Sequence, residues 1–224
     1  MSLSRSQSLA WIEYHTVWYY LALCKIKLSE LPPMTQPFRI LGLSGSLRRG
    51  SNSTAVLRGL QEALAPGRAV LDIFPLCAMP LYNEDDDGEN APQSVCVLRS
   101  AIDTSDGVIM ISPEYNHGMS GVLKNALDWA SRPHGRSALR GKPVLTMTAS
   151  AAFTGGVRAQ QQMNETLLSI QARLVLRPQI VIGTVHEKVR EGRLVDEAAL
   201  RFALAGVDDL LDDMRAMRFL RLAA

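Results

Sequence analysis

From Phe38 onward, short apolar runs alternate with segments whose apolar residues recur every three to four positions, the periods of buried strand and amphipathic helix. The runs at 39–43, 70–73, 108–111, 144–147 and 179–182 predict five strands. A helix is expected from about 53, with Val56, Leu57, Leu60 and Leu64 on one face and Pro66 and Gly67 as its stop. Further helices are expected over 93–104, from 120 with Val122, Leu123, Ala126, Leu127 and Ala130 apolar, and over 158–174 with Ala159, Met163, Leu167 and Ile170 in register. The last helix begins near Asp196 and carries the stripe Leu200, Leu204, Val207, Leu211 and Met214; acids open it and Arg215, Arg218 and Arg221 close it, which suits the helix dipole. Strands each followed by a helix imply an α/β domain with a parallel sheet covered on both faces.

The segment before residue 34 does not share this pattern. It holds Trp11, Tyr14, Trp18, Tyr19 and Tyr20, five of the thirteen aromatics. Its apolar part, 9–24, carries Glu13 and His15 and is shorter than the ~20 residues of a membrane span. No small-residue cleavage site follows, which argues against a secretory signal. Pro32 and Pro33 punctuate the chain and Met34 follows. The expectation is an N-terminal extension over residues 1–36, irrelevant to the chemistry, and one domain over residues 37–224. A translation start at Met34 is the other reading.

Composition narrows the function classes. The chain has 224 residues, 47% hydrophobic and 21% charged, an ordinary globular balance that excludes a disordered or disulfide-stapled protein. Lys and Arg number 24 against 22 Asp and Glu, with no basic stripe, so nucleic acid is not an expected partner. Cys24, Cys77 and Cys96 share no metal or redox spacing, and the four histidines form no HxxxH pair, so no metal site is expected. The acidic run 84–89 lacks the ligand spacing of a calcium loop and reads as solvated.

Parallel sheets bind ligands beyond the carboxyl ends of their strands, so the loops after the strands carry the functional argument. The first, 44–53, reads SGSLRRGSNS. It has neither GxGxxG nor a Gly-Lys-Ser/Thr. It does place hydroxyls, backbone N–H groups and guanidinium groups at a helix N-terminus, a complement to a terminal phosphate dianion. A plain Ser-rich capping loop is the alternative. The loop at 112–118, SPEYNHG, sets an aromatic beside a proline and an amide, a setting for a flat heterocycle or an ordinary turn; His117 reads as solvent-facing. The loop at 148–156, TASAAFTGG, is built of small residues that let a ligand approach the backbone.

Gly45-Ser46-Leu47-Arg48 with Ser51, Pro113-Glu114-Tyr115-Asn116, and the run SGVLKNALDW at 120–129 together resemble the NADPH-dependent FMN reductase family, and among its members the bacterial chromate and quinone reductases. The resemblance covers about residue 37 to the end. It implies a flavodoxin-like, doubly wound five-stranded parallel sheet of order 2-1-3-4-5 with helices on both faces. It also implies FMN as cofactor, NAD(P)H as co-substrate and a homodimer or homotetramer in the cytoplasm, without stable membrane insertion. By the same resemblance Ser46, Arg48 and Ser51 hold the FMN phosphate, with Asn52 and Ser53 beside them. Pro113, Glu114, Tyr115 and Asn116 border the isoalloxazine ring, and Ser150, Gly155 and Gly156 close its far edge. The family usually has Asn at position 53 and Gly at position 152; here Ser53 and Ala152 stand there.

The expected activity follows from the cofactor, which carries the redox chemistry while the protein supplies position and electrostatics. It is transfer of electrons from NAD(P)H to a small-molecule acceptor, a quinone, azo dye or chromate, in a ping-pong sequence, and no side chain is nominated as catalytic acid or base. A flavodoxin-type electron carrier and a flavin-free interaction module are the rival readings. The slightly basic charge, +2, argues against the carrier, a class that is strongly acidic.

Overall fold

The computed structural model describes residues 36–223. The expected extension, including its aromatic cluster, lies outside the described residues except for Gln36. In chain order the elements are β1 (Phe38–Ser44), α1 (Asn52–Ala63), β2 (Ala69–Phe74), α2 (Gln93–Thr104), β3 (Gly107–Ser112), β4 (Glu114–Tyr115), β5 (Gly118–Met119), α3 (Gly121–Ala130), β6 (Pro143–Ala149), α4 (Val157–Ser169), β7 (Arg173–Leu174), β8 (Ile180–Ile182), α5 (Val185–Lys188), β9 (Val189–Arg190), β10 (Arg193–Leu194) and α6 (Glu197–Ala223).

The main sheet runs β2-β1-β3-β6-β7, with β8 also paired to β6, and every pairing in it is parallel. β3 and β6 are buried along their whole length, as central strands covered on both faces must be, whereas the edge strand β2 alternates. Alternate residues feed two cores. Ile40, Ile109, Ile111, Leu145 and Met147 pack against α1 and α6, while Leu41, Leu43, Val108, Met110 and Val144 pack against α2, α3 and α4. This is the flavodoxin-like order expected from the sequence.

The fifth sheet position departs from expectation in two ways. The helix expected to reach residue 174 ends at Ser169. Gln171 takes a left-handed φ of 64°, the Ala172 N–H reaches Leu167 O at 2.9 Å, and the Gln171 N–H reaches Leu168 O at 3.0 Å. Those two bonds form a Schellman closure, here without the usual glycine, which is why the sequence carries no stop signal. Residues 173–174 then pair with Pro143 and Val144 as β7. Pro178 interrupts the strand, and β8 resumes beside 147–149, so two short strands share one position and the sheet has six strands rather than five.

The acidic run is tied down rather than wholly solvated. Asp87 accepts from Arg99 at 2.8 Å, and Arg99 also donates to Trp129 O. Although burial pushes the Asp87 carboxyl up, the bonds from Arg99 and the Gly88 N–H hold it below the usual carboxylate range. On α3, Asn125 accepts from the Tyr82 N–H at 2.7 Å and donates to Pro80 O at 2.8 Å, and the Trp129 indole donates to the same carbonyl at 2.9 Å. Asn125 and Trp129 therefore pin the long connection after β2. No helix among the described residues is long and apolar enough to cross a membrane.

Asn125→Ala removes both Asn125 bonds and leaves the Tyr82 amide without its partner, while the Pro80 carbonyl keeps the Trp129 indole. We expect a loss of about 1–3 kcal/mol, or a fall of roughly 2–10 °C for a domain of this size. Thermal denaturation checks this; an unchanged midpoint would show that the loop does not depend on Asn125.

Candidate functional site

Three loops leave the carboxyl ends of β1, β3 and β6, which lie side by side in the sheet. The first crosses close to the start of α3. The Gly45 N–H bonds Ile111 O at 2.8 Å, and a Cβ on Gly45 would stand 2.6 Å from Ser120 Oγ, so only glycine fits. Ser51 ends this loop as the N-cap of α1. Its Oγ accepts from the Thr54 N–H at 3.1 Å and lies 3.0 Å from Thr54 Oγ1, which is also 2.9 Å from Ser44 Oγ. The amides of Asn52 and Ser53 follow directly in the first turn, where a helix has no internal acceptors to offer.

The second loop is held at its base and its tip. Ser112 Oγ accepts from the Ser120 N–H at 3.0 Å and donates to Pro113 O at 2.7 Å. β4 and β5 form a small antiparallel hairpin whose tip residues, Asn116 and His117, take left-handed φ values of 50° and 67°. Glu114 Oε2 accepts the N–H groups of Arg158 and Ala159 at 3.1 and 3.2 Å, capping α4 from outside its own chain segment. Further along, Met119 N–H donates to Gln162 Oε1 at 2.7 Å. The exposed His117 ring contacts the Arg158 guanidinium.

The third loop is tied to the end of β8 by backbone bonds. Ser150 N–H reaches Ile182 O at 3.0 Å, Val185 N–H reaches Ser150 O at 3.1 Å, and Thr184 N–H reaches Ala152 O at 3.2 Å. Gly155 and Gly156 have φ of 69° and 98°, and a Cβ on Gly155 would press on the Val181–Gly183 backbone at 3.0 Å.

Between these loops lies a cleft of about 150 Å³. Ser46, Arg48, Asn52 and Ser53 line one side, Pro113, Glu114 and Tyr115 another, and Ala149, Ser150 and Ala151 the third. Eight of the twelve residues singled out from the sequence thus meet in one cleft. The other four stand behind or beside the lining: Ser51 caps α1, Asn116 is exposed at the hairpin tip, and Gly155 and Gly156 shape the turn into α4. Ala149 and Ala151 were not foreseen, since an alanine carries no chemical signal. The capping role of Glu114 was not foreseen either, because its partners are 44 and 45 residues away in the chain.

The cleft is polar at its floor. Ser53 Oγ is buried with no hydrogen-bond partner among the described residues. Arg48 lines the cleft without an ion-pair partner among those residues. First-turn amides, a free buried hydroxyl and an unpaired guanidinium are the donor set for a phosphate. The described residues contain no cluster of three or more potential metal ligands.

A family profile described as NADPH-dependent FMN reductase matches residues 38–187. The chain is 36% identical over 167 residues to an NAD(P)H-dependent FMN reductase of Pseudomonas aeruginosa, covering 74% of this chain and 89% of that protein. It is 36% identical over 171 residues to a quinone reductase of Escherichia coli, covering 75% and 90%. Among solved structures, the flavoenzyme NAD(P)H:(acceptor) oxidoreductase FerB of Paracoccus denitrificans superposes with a TM-score of 0.67 at 31% identity, over 79% of this chain and 97% of that one.

Glu114→Ala removes the acceptor that serves two amides of α4. The expected cost is about 0.5–2 kcal/mol, that of losing a helix cap. Glu114→Gln keeps an oxygen in place and should cost less. Denaturant unfolding of both variants checks the order; equal stability of all three proteins would refute the cap.

Proposed function

The chain belongs to the NADPH-dependent FMN reductase family, and from that membership we propose that it is an FMN-dependent NAD(P)H oxidoreductase whose electron acceptors are quinones. The observation that carries this reading is the buried Ser53 hydroxyl in the first turn of α1, which has no hydrogen-bond partner among the described residues, with the exposed Arg48 on the same cleft lining. In this reading Ser46, Arg48, Ser53 and the Asn52 and Ser53 amides hold the FMN phosphate, and Ser51 holds the helix start that presents those amides. The cleft is smaller than the ~300–1,000 Å³ of a typical ligand site. It would take the phosphate end of the cofactor, and Pro113, Glu114, Tyr115, Asn116 and Ser150 would border the flavin ring.

When bound, FMN supplies two-electron chemistry: NAD(P)H gives up a hydride, and a quinone takes two electrons and two protons to become a hydroquinone. The chain's own residues bind and orient. The lining offers hydroxyls, amides and one guanidinium, and its one carboxylate, Glu114, is engaged by the start of α4. With no second nucleotide motif in the sequence, NAD(P)H and the acceptor take turns at the same open mouth. Azo dyes and chromate are further acceptors under this reading. Under this reading the protein acts in the cytoplasm as a homodimer or homotetramer.

Arg48→Ala should lose a charge-assisted contact of about 1.5–3 kcal/mol, or roughly tenfold to hundredfold in FMN affinity. Arg49, exposed and outside the lining, is the control. Flavin absorbance of the purified variants is the readout. Equal FMN content in Arg48→Ala and Arg49→Ala would remove Arg48 from the site.

Steady-state kinetics test the shared mouth. Double-reciprocal plots against NAD(P)H at several fixed quinone concentrations should be parallel, the ping-pong pattern. Intersecting lines would mean that both substrates bind together.

A further inference from the structure

The polar floor of the cleft contrasts with its rim. Each of the three loops carries one exposed apolar or aromatic side chain at or within two residues of a lining residue. Leu47 sits between Ser46 and Arg48 and is 54% exposed, Tyr115 lines the cleft and is 51% exposed, and Phe153 lies two residues past Ala151 and is 86% exposed. Single exposed hydrophobics are ordinary on any protein surface; here one occurs on every loop that builds the site.

The backbone around Phe153 is tied down. Its loop is bonded to the β8 end through Ser150, Ala152, Thr184 and Val185, and Ser150 Oγ accepts the Ala152 N–H at 3.2 Å. The Phe153 carbonyl packs so closely on Gly183 that a Cβ there would stand 2.2 Å away. These contacts hold the backbone from which the exposed Phe153 side chain projects.

We propose that Leu47, Tyr115 and Phe153 form an apolar collar at the mouth that selects flat, uncharged aromatic acceptors, with Phe153 the specificity-determining residue. The inference rests on the flavin reading above and names which acceptors that site prefers. A quinone ring entering the mouth gains stacking and buried apolar area from the collar. A small inorganic anion such as ferricyanide, which takes one electron per ion and needs no stacking, gains neither.

The test uses the flavin-loaded enzyme with menadione and with ferricyanide as acceptors. Phe153→Ala should raise KM for menadione about two- to tenfold, the weight of an aromatic pair. Its ferricyanide kinetics and FMN content should match wild type. Phe153→Tyr should restore the menadione KM. The collar is refuted by an unchanged menadione KM, by an equal loss with ferricyanide, or by a shift in solution molar mass that makes Phe153 an anchor between subunits. Wild-type protein that binds no FMN would refute the flavin reading and the collar with it. A yellow, active wild type with indifferent Phe153 variants would refute the collar alone.

Discussion

The first turn of a helix leaves amide donors with no acceptor inside the helix, and the site is organised around where those acceptors come from. At α3 Ser120 Oγ accepts the Leu123 N–H, and at α6 Asp196 accepts the Ala199 N–H. At α4 the job falls to Glu114, reaching across from the hairpin after β3. At α1 Ser51 accepts the Thr54 N–H in the same way, and in the same turn Ser53 carries a buried hydroxyl without a partner among the described residues.

The same bonds that cap the helices assemble the loops. Because Glu114 belongs at once to the cleft lining and to the α4 cap, the second loop is fastened to the helix that follows the third. Met119 and Gln162 repeat the attachment one turn further on. Gly45 lets the first loop pass Ser120, the cap of α3. The cleft walls are therefore braced against one another through helix ends.

Much of the fold was readable in advance. Strands β1, β3 and β6 announce themselves as continuous apolar runs because both of their faces are covered, and α2 begins and ends at the expected residues since its stripe Val95, Leu98 and Ile102 has the helical period. The end of α4 was not readable. Ile170 and Leu174 fit a helical stripe as well as they fit a strand, and the turn that separates them uses Gln171 in a left-handed conformation that no glycine advertises. The motif at 120–129 was legible as a resemblance, but the reason for Asn125 and Trp129 lies in the Pro80 and Tyr82 backbone they hold.

By itself the sequence determined the parallel α/β architecture, the order of strands and helices along the chain and the three loops that line the cleft. All of these follow from local period and residue type, which are properties of a few neighbouring positions. Only the tertiary structure decided which of those residues face one another. It set Ser51 into the helix start and Ser53 into the cleft, turned Glu114 onto the amides of a helix more than forty residues away, and split the fifth strand in two. Such outcomes depend on which distant backbone groups need partners, and that is fixed only when the sheet brings its strand ends together.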